Sequence, residues 1–151
     1  MKTMIFLVSI MMFFHPISMK YEIPMTTASM ADICGISEEE FILLSSVVEA
    51  ESDRSDSLSG RILICETVIN RVESDFFPNT ITEVLTQPGQ FSTVRNGHSV
   101  VNRTDYSDQA VILAFRENAA GDAPEVLFFN CIGFFSGREP YALVDGNYFS
   151  L

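Results

Sequence analysis

The sequence predicts a single, mainly α-helical (α+β) domain that ends in a short β or extended segment. Three observations lead there. Residues 37–40 and 80–83 each carry a hydroxyl residue followed three positions later by Glu, the capping-box pattern that opens a helix. Apolar side chains recur at helical spacing after Ser37 and again across 58–72. The last third changes to short apolar and aromatic runs, at 126–129 and 141–151, broken by Gly133, Gly137 and Gly146. A length of 151 residues suits one compact domain.

Each element follows from local chemistry. Residues 4–14 form an apolar run behind the single basic Lys2, ended by His15-Pro16. It has the length of a signal-peptide core and is short for a membrane span. Residues 1–31 therefore read as a signal peptide or N-terminal anchor plus lead-in, with Ser29-Met30-Ala31 offering a small-x-small cleavage pattern. The lead-in reaches about Ile36 without a clear period, and the folded domain is expected over 37–151. A first helix should run from the Ser37 cap to Glu51, with Phe41, Leu44 and Val48 on its buried stripe. The polar stretch 52–57 is a loop. A second helix is expected over 58–72 on the stripe Leu58, Ile62, Cys65, Ile69 and Val72, with Gly60 marking close packing near its start. A short helix follows Thr80 to about Thr86. Pro88-Gly89 and Asn96-Gly97 force turns. Ser107 is the expected cap of a helix over 108–120 that Gly121 stops.

Composition narrows the function. The net charge of −11, from 20 acidic and 9 basic residues, excludes nucleic acid as a partner, because its phosphates require clustered Lys and Arg. Three cysteines do not make a disulfide framework. Cys65 falls on a helical stripe and reads as core, while Cys34 and Cys131 form a possible pair in an exported chain. No CxxC or HExxH spacing is present, and the histidines are His15 and His98, so no metal site is expected. The oligomeric state is left open.

Glu51 is the candidate catalytic residue. It occupies the next position on the Phe41, Leu44, Val48 stripe, at the C-terminal end of the helix. Partial burial and the negative helix pole both favour its protonated form there, as a general acid requires. The competing reading is a surface carboxylate that reaches water or pairs with Arg54. Glu49 lies about 200° away around the helix and reads as a solvated charge.

Several motifs occur in one order: Val47-Val48-Glu49-Ala50-Glu51, Val68-Ile69-Asn70-Arg71-Val72, Phe77-Pro78-Asn79-Thr80-Ile81, Gln87-Pro88-Gly89-Gln90-Phe91-Ser92, Phe128-Phe129-Asn130 and Gly146-Asn147-Tyr148-Phe149. Over residues 37–151 the chain resembles the cell-wall hydrolase family of the spore cortex-lytic (SleB-type) enzymes. The resemblance implies a lysozyme-like or lytic-transglycosylase-like fold acting on peptidoglycan glycan strands. It also implies that Glu51 is the acid/base, with cleavage between N-acetylmuramic acid and N-acetylglucosamine to an anhydro product and no metal or cofactor. Two departures stand out. The family's acid motif often continues into a Gly- and Glu-containing loop, where this chain has Ser52-Asp53-Arg54-Ser55-Asp56. Its closing motif usually carries a His where this chain has Asn147.

Around this acid, Gln90 and Ser92 are candidate contacts to sugar hydroxyls or N-acetyl groups; otherwise the turn is scaffold with Phe91 as its core plug. Asn130 either faces the cleft or satisfies backbone. Tyr148 either stacks on a sugar or packs internally. Asn70 and Arg71 read as structural, Arg71 near the last helical carbonyls or paired with an acid. Three alternatives compete. A hydrolytic muramidase would recruit a second carboxylate from Asp53, Asp56 or Asp105. A thiol peptidase would need Cys131 with His98. A non-catalytic peptidoglycan-binding protein would need neither. A cell-wall hydrolase implies a secreted or wall-associated protein, or one held by an uncleaved N-terminal segment.

Overall fold

The structure, a computed structural model, describes residues 25–52 and 57–151; the apolar run and residues 53–56 of the expected 52–57 loop lie outside the described residues. Its first element corrects the sequence reading. Residues expected to be lead-in form helix α1 (Thr27–Cys34), with Thr26 accepting from the Ser29 amide and Gly35 closing it at φ 70°. Low-propensity Ser and Thr weaken the helical signal locally, whereas burial of Met30 and Ala31 in the core supplies the stability that propensity does not.

Helix α2 (Glu38–Glu51) begins with the expected capping box between Ser37 and Glu40. Phe41, Leu44 and Val48 are fully buried along one side. Helix α3 (Leu58–Glu73) is capped by Ser57. Here the single-stripe expectation fails. Leu63, Ile64, Val68 and Ile69 are buried as well as Cys65, while Leu58, Ile62 and Val72 are only partly covered. The helix is enclosed on nearly every side, and three charged residues, Arg61, Glu66 and Arg71, are buried with it. Helix α4 (Ile81–Thr86) starts at Thr80 as expected. Helix α5 (Asp105–Ala120) starts three residues before the expected point. Thr104 is its cap, accepting from the Ser107 amide, and Ser107 is the third helical residue, its hydroxyl accepting in turn from the Thr104 amide. Both residues suit a cap, and the reciprocal bonds decide for the earlier one.

Strands β1 (Val94–Arg95) and β2 (His98–Ser99) form a hairpin through Asn96-Gly97, both at positive φ. The C-terminal sheet is antiparallel, ordered β3 (Phe128–Asn130), β5 (Asn147–Ser150), β4 (Pro140–Val144). Its central strand places Phe149 opposite Phe129, and the two rings stack at 5.6 Å between centroids. The mixed architecture agrees with the expected α+β class, with helices around α3 and the small sheet at one end. Asn70 ties them together, donating to the Pro124 and Val126 carbonyls at 2.8 Å each. No helix among the described residues is long and apolar enough to cross a membrane.

Polar links fix the helices relative to one another. The Ser45 hydroxyl lies 2.9 Å from the Ser107 hydroxyl and donates to Asp108 at 2.7 Å, joining α2 to α5. Asp108 also pairs with Arg103, whose other nitrogen donates to Thr27 of α1 at 2.7 Å. The cysteines are free: Cys34 and Cys65 are buried and Cys131 is exposed, so the possible Cys34–Cys131 pairing is not formed. Burial pushes the Cys34 thiol up to about 11, with Arg116 opposing, which makes it a poor nucleophile.

Candidate active site

A cleft of about 590 Å³ opens where the end of α2 meets the Pro-Gly turn and the C-terminal sheet. Glu51 enters it from the last turn of α2, and Gln90, Ser92 and Thr93 from the turn after Gly89. Asn130 and Cys131 come from the end of β3, Asp145 and Asn147 from the β4–β5 hairpin, and Arg71 from α3.

The Glu51 carboxyl is half-buried and accepts from Thr93 Oγ1 at 2.8 Å. Burial raises its pKa above the ordinary value, and the Thr93 hydrogen bond opposes that rise without cancelling it. The result is a carboxyl that holds its proton to higher pH than an ordinary Glu, at the wall of an open cleft. Arg54, its alternative partner, lies outside the described residues.

Glu49 corrects the expectation of a solvated charge. Its oxygens accept from Arg61 Nη2 at 3.0 Å, Arg61 Nε at 3.2 Å and Thr104 Oγ1 at 2.7 Å. Burial pushes this carboxyl up, but the hydrogen bonds from Arg61 and Thr104 and the Arg61 charge outweigh it and hold the pKa below the ordinary value. Two carboxylates two residues apart on one helix are thus tuned in opposite directions. The paired one anchors the end of α2 to α3 and α5, and the other is presented to the cleft.

Arg71 is buried beneath the cleft. Its Nε donates to the Leu127 carbonyl at 2.8 Å and its Nη1 to Gln90 Oε1 at 3.2 Å, while the guanidinium sits 5.0, 5.7 and 5.9 Å from the Phe77, Phe91 and Phe128 ring centres. The structural role expected for it holds, but its partners are a carbonyl, an amide and aromatic faces rather than an acid. Burial brings its pKa down to about 10, so it stays charged at neutral pH. Holding Gln90 by its oxygen leaves the amide NH₂ as that side chain's donor end.

A family model for cell wall hydrolases matches residues 55–133, just over half of the chain. The chain belongs to the cell-wall hydrolase family. The family match carries Arg71, the 89–93 turn and Asn130, and begins just beyond Glu51. Among relatives, the spore cortex-lytic enzyme of Bacillus cereus is 30% identical over 78 residues, which is 52% of this chain and 30% of that protein. The spore cortex-lytic enzyme of Bacillus subtilis is 27% identical over 95 residues, 63% of this chain and 30% of that protein. The matching region therefore spans under a third of either relative.

The fold of this family member is similar to two solved domains. One is the catalytic domain of the Bacillus cereus SleB protein, with a TM-score of 0.65 and 23% identity over 76% of this chain and 91% of that one. The other is the catalytic domain of the germination-specific lytic transglycosylase SleB from Bacillus anthracis, with a TM-score of 0.65 and 22% identity over 78% and 98%. The expected lytic-transglycosylase-like fold is the one observed.

Within this cell-wall hydrolase fold, Glu51, Gln90, Ser92 and Asn130 share the cleft, and Tyr148 does not. Strand alternation sends Tyr148 to the face opposite Asn147 and Phe149, where it packs edge-on against Phe134 at 5.0 Å. The sugar-contact reading of Tyr148 is therefore corrected to packing. Asn130 lines the cleft and also satisfies backbone, its Oδ1 accepting from the Ile132 and Gly133 amides. Phe91 is buried as the core plug of its turn, yet Gln90 and Ser92 on either side are exposed. Cys131 lines the cleft whereas His98 is exposed on β2 outside it. Asp105 is exposed at the start of α5, away from the cleft, and Asp53 and Asp56 lie outside the described residues. Among the described residues no group of three His, Cys, Asp or Glu is placed to hold a metal ion.

Sequence reasoning missed Thr93 and Asp145. Thr93 directly follows the recognised QPGQFS turn, so its signal was proximity to a motif. Asp145 precedes the closing Gly146 in an Asp-Gly pair, a hairpin signal that the continuous aromatic stretch around it obscured.

Proposed function

We propose that this protein cleaves peptidoglycan glycan strands between N-acetylmuramic acid and N-acetylglucosamine as a lytic transglycosylase, with Glu51 as the single acid/base. The observation that carries this reading is a half-buried carboxyl, raised in pKa, facing a cleft lined by both polar and aromatic side chains and steadied by Thr93. Protonated Glu51 gives its proton to the bridging oxygen as the bond from the muramyl anomeric carbon breaks. The muramyl 6-hydroxyl then forms a new bond to that carbon, and its proton passes to the Glu51 carboxylate, restoring the acid. One carboxyl serves both steps, and no water is consumed. Gln90, Ser92 and Asn130 are positioned to meet sugar hydroxyls and N-acetyl groups along the cleft. The similarity in fold to the catalytic domain of a germination-specific lytic transglycosylase supports the same chemistry. The apolar run at 4–14 supports action on the wall side of the membrane, by export or by an N-terminal anchor.

Digestion of purified peptidoglycan, followed by mass spectrometry of the soluble muropeptides, tests the reading. Anhydro-muramyl ends are expected. Reducing ends would replace the transglycosylase with a hydrolytic muramidase, and no release at all would leave a binding protein.

Thr93→Val adds a pH test. The Thr93 hydrogen bond favours the ionised carboxyl, so its loss lets Glu51 hold its proton to higher pH. The alkaline limb of the pH–rate profile is expected to move upward, while the rate at the optimum falls by about tenfold or less, the worth of roughly one neutral hydrogen bond. An unmoved limb would detach Glu51 from that limb.

A further inference from the structure

We infer that Asp145 is a substrate-binding carboxylate of this cleft, accepting hydrogen bonds from hydroxyl or amide N–H donors of the bound glycan. The inference rests on the glycan-cleavage reading above and extends it to a residue outside the recognised motifs.

Four observations converge on this side chain. It lines the same cleft as Glu51 and Gln90. It is delivered by a two-residue turn, Asp145 at φ 53° and Gly146 at φ 80°, closed by the Val144–Asn147 pair. Such a turn is stiff, so the carboxylate is held in place before any ligand arrives. Its Oδ2 is buried and has no hydrogen-bond partner. Finally, the room for that oxygen depends on Gly60: a Cβ there would lie 2.3 Å from Asp145 Oδ2.

Turn chemistry accounts for an Asp or Asn at positive φ, but not for leaving one carboxylate oxygen buried and unsatisfied. Asn serves the same turn and brings donors of its own. The ion pairs among the described residues, Arg61 with Glu49 and Arg103 with Asp108, leave Asp145 without a cation. An oxygen enclosed against Gly60 is out of a ligand's reach, so its packing fixes the carboxyl and the other oxygen, on the cleft side, is the one that accepts from a bound donor. Glycan strands present donors in quantity, as ring hydroxyls and N-acetyl N–H groups. In a chain of net charge −11, a donor-rich neutral sugar fits this acceptor where an anion does not.

The test compares the intact chain with Asp145→Asn and Asp145→Ala on soluble glycan oligomers prepared from peptidoglycan. It reads kcat, KM, the pH profile and thermal stability. Asp145→Asn keeps the turn, so the melting temperature should not fall. KM is expected to rise by roughly tenfold or more, the worth of a hydrogen bond to a charged acceptor, with kcat within a few-fold and the alkaline limb unmoved. Gly60→Ala, which forces the carboxylate aside without removing it, should raise KM in the same direction. An unchanged KM in both Asp145 variants would mean that Asp145 serves only the turn, and would overturn the inference. Loss of kcat at unchanged KM would overturn it too, by making Asp145 a participant in bond cleavage. Reducing ends from the intact chain would sink the transglycosylase reading, while a raised KM in Asp145→Asn would still support Asp145 as a glycan contact.

Discussion

Glu51→Gln is expected to lower the rate of muropeptide release by about 10²–10⁴-fold, the range removed when a positioned general acid is lost. The substitution preserves shape, and the Gln oxygen can still accept from Thr93, so binding of glycan should change little and the loss should fall on kcat. The same change should leave the protein slightly more stable at neutral pH. The folded-state pKa of Glu51 is raised by burial, so its proton stabilises the fold at low pH and that contribution fades as pH rises through the folded value. A neutral Gln removes the cost of ionisation. Rates at the pH optimum, with thermal melts at pH 4 and pH 8, check both halves. A variant that keeps a tenth or more of the activity would end the assignment of Glu51 as the acid. One that loses activity together with stability would point instead to a structural role.

What the sequence made legible was local. The caps at Ser37 and Thr80, the end of α2 at Glu51 and the 89–92 turn are each encoded within a few residues, and all are found where the pattern puts them. The misses depended on partners distant in sequence. Glu49 reads as a surface charge until Arg61 and Thr104 close on it from 12 and 55 residues away. Arg71 reads as a helix-end cation until the sheet carbonyl of Leu127 and three Phe rings surround it. Helix α3 shows one stripe in sequence but is covered on nearly all sides, because α2, α4, α5 and β3 each pack against it. Glu51 was legible as the proposed acid because a carboxylate on an apolar stripe breaks a local rule. Thr93 and Asp145 obey the rules of their turns, and only the assembled cleft shows what they face.

Glu66 is the other carboxyl that breaks a rule, and it is expected to make the fold itself sensitive to pH. It is buried in α3 at 1% exposure, with Oε1 unpartnered, and it faces Glu117 of α5. Burial, then hydrogen bonding to Glu117 and repulsion from its charge, raise the Glu66 pKa from 4.5 to about 8. Because the folded value is the higher one, the bound proton stabilises fully below about pH 4.5, and that stability is lost as pH rises through about 8. The linked loss is on the order of a few kcal/mol. Glu66→Gln is neutral throughout and keeps a donor toward Glu117, so its stability should match the parent at pH 4 and exceed it at pH 9 by about 1–3 kcal/mol. Urea unfolding at pH 4, 7 and 9 measures this; parallel curves for the two proteins would remove Glu66 as the source. The substitution also separates two causes of alkaline inactivation. Glu66 does not line the cleft, so Glu66→Gln should retain the Glu51-controlled limb of the rate profile while losing the alkaline fall in melting temperature. If the rate limb disappeared with it, the limb would report unfolding of the α3–α5 contact rather than ionisation of the acid.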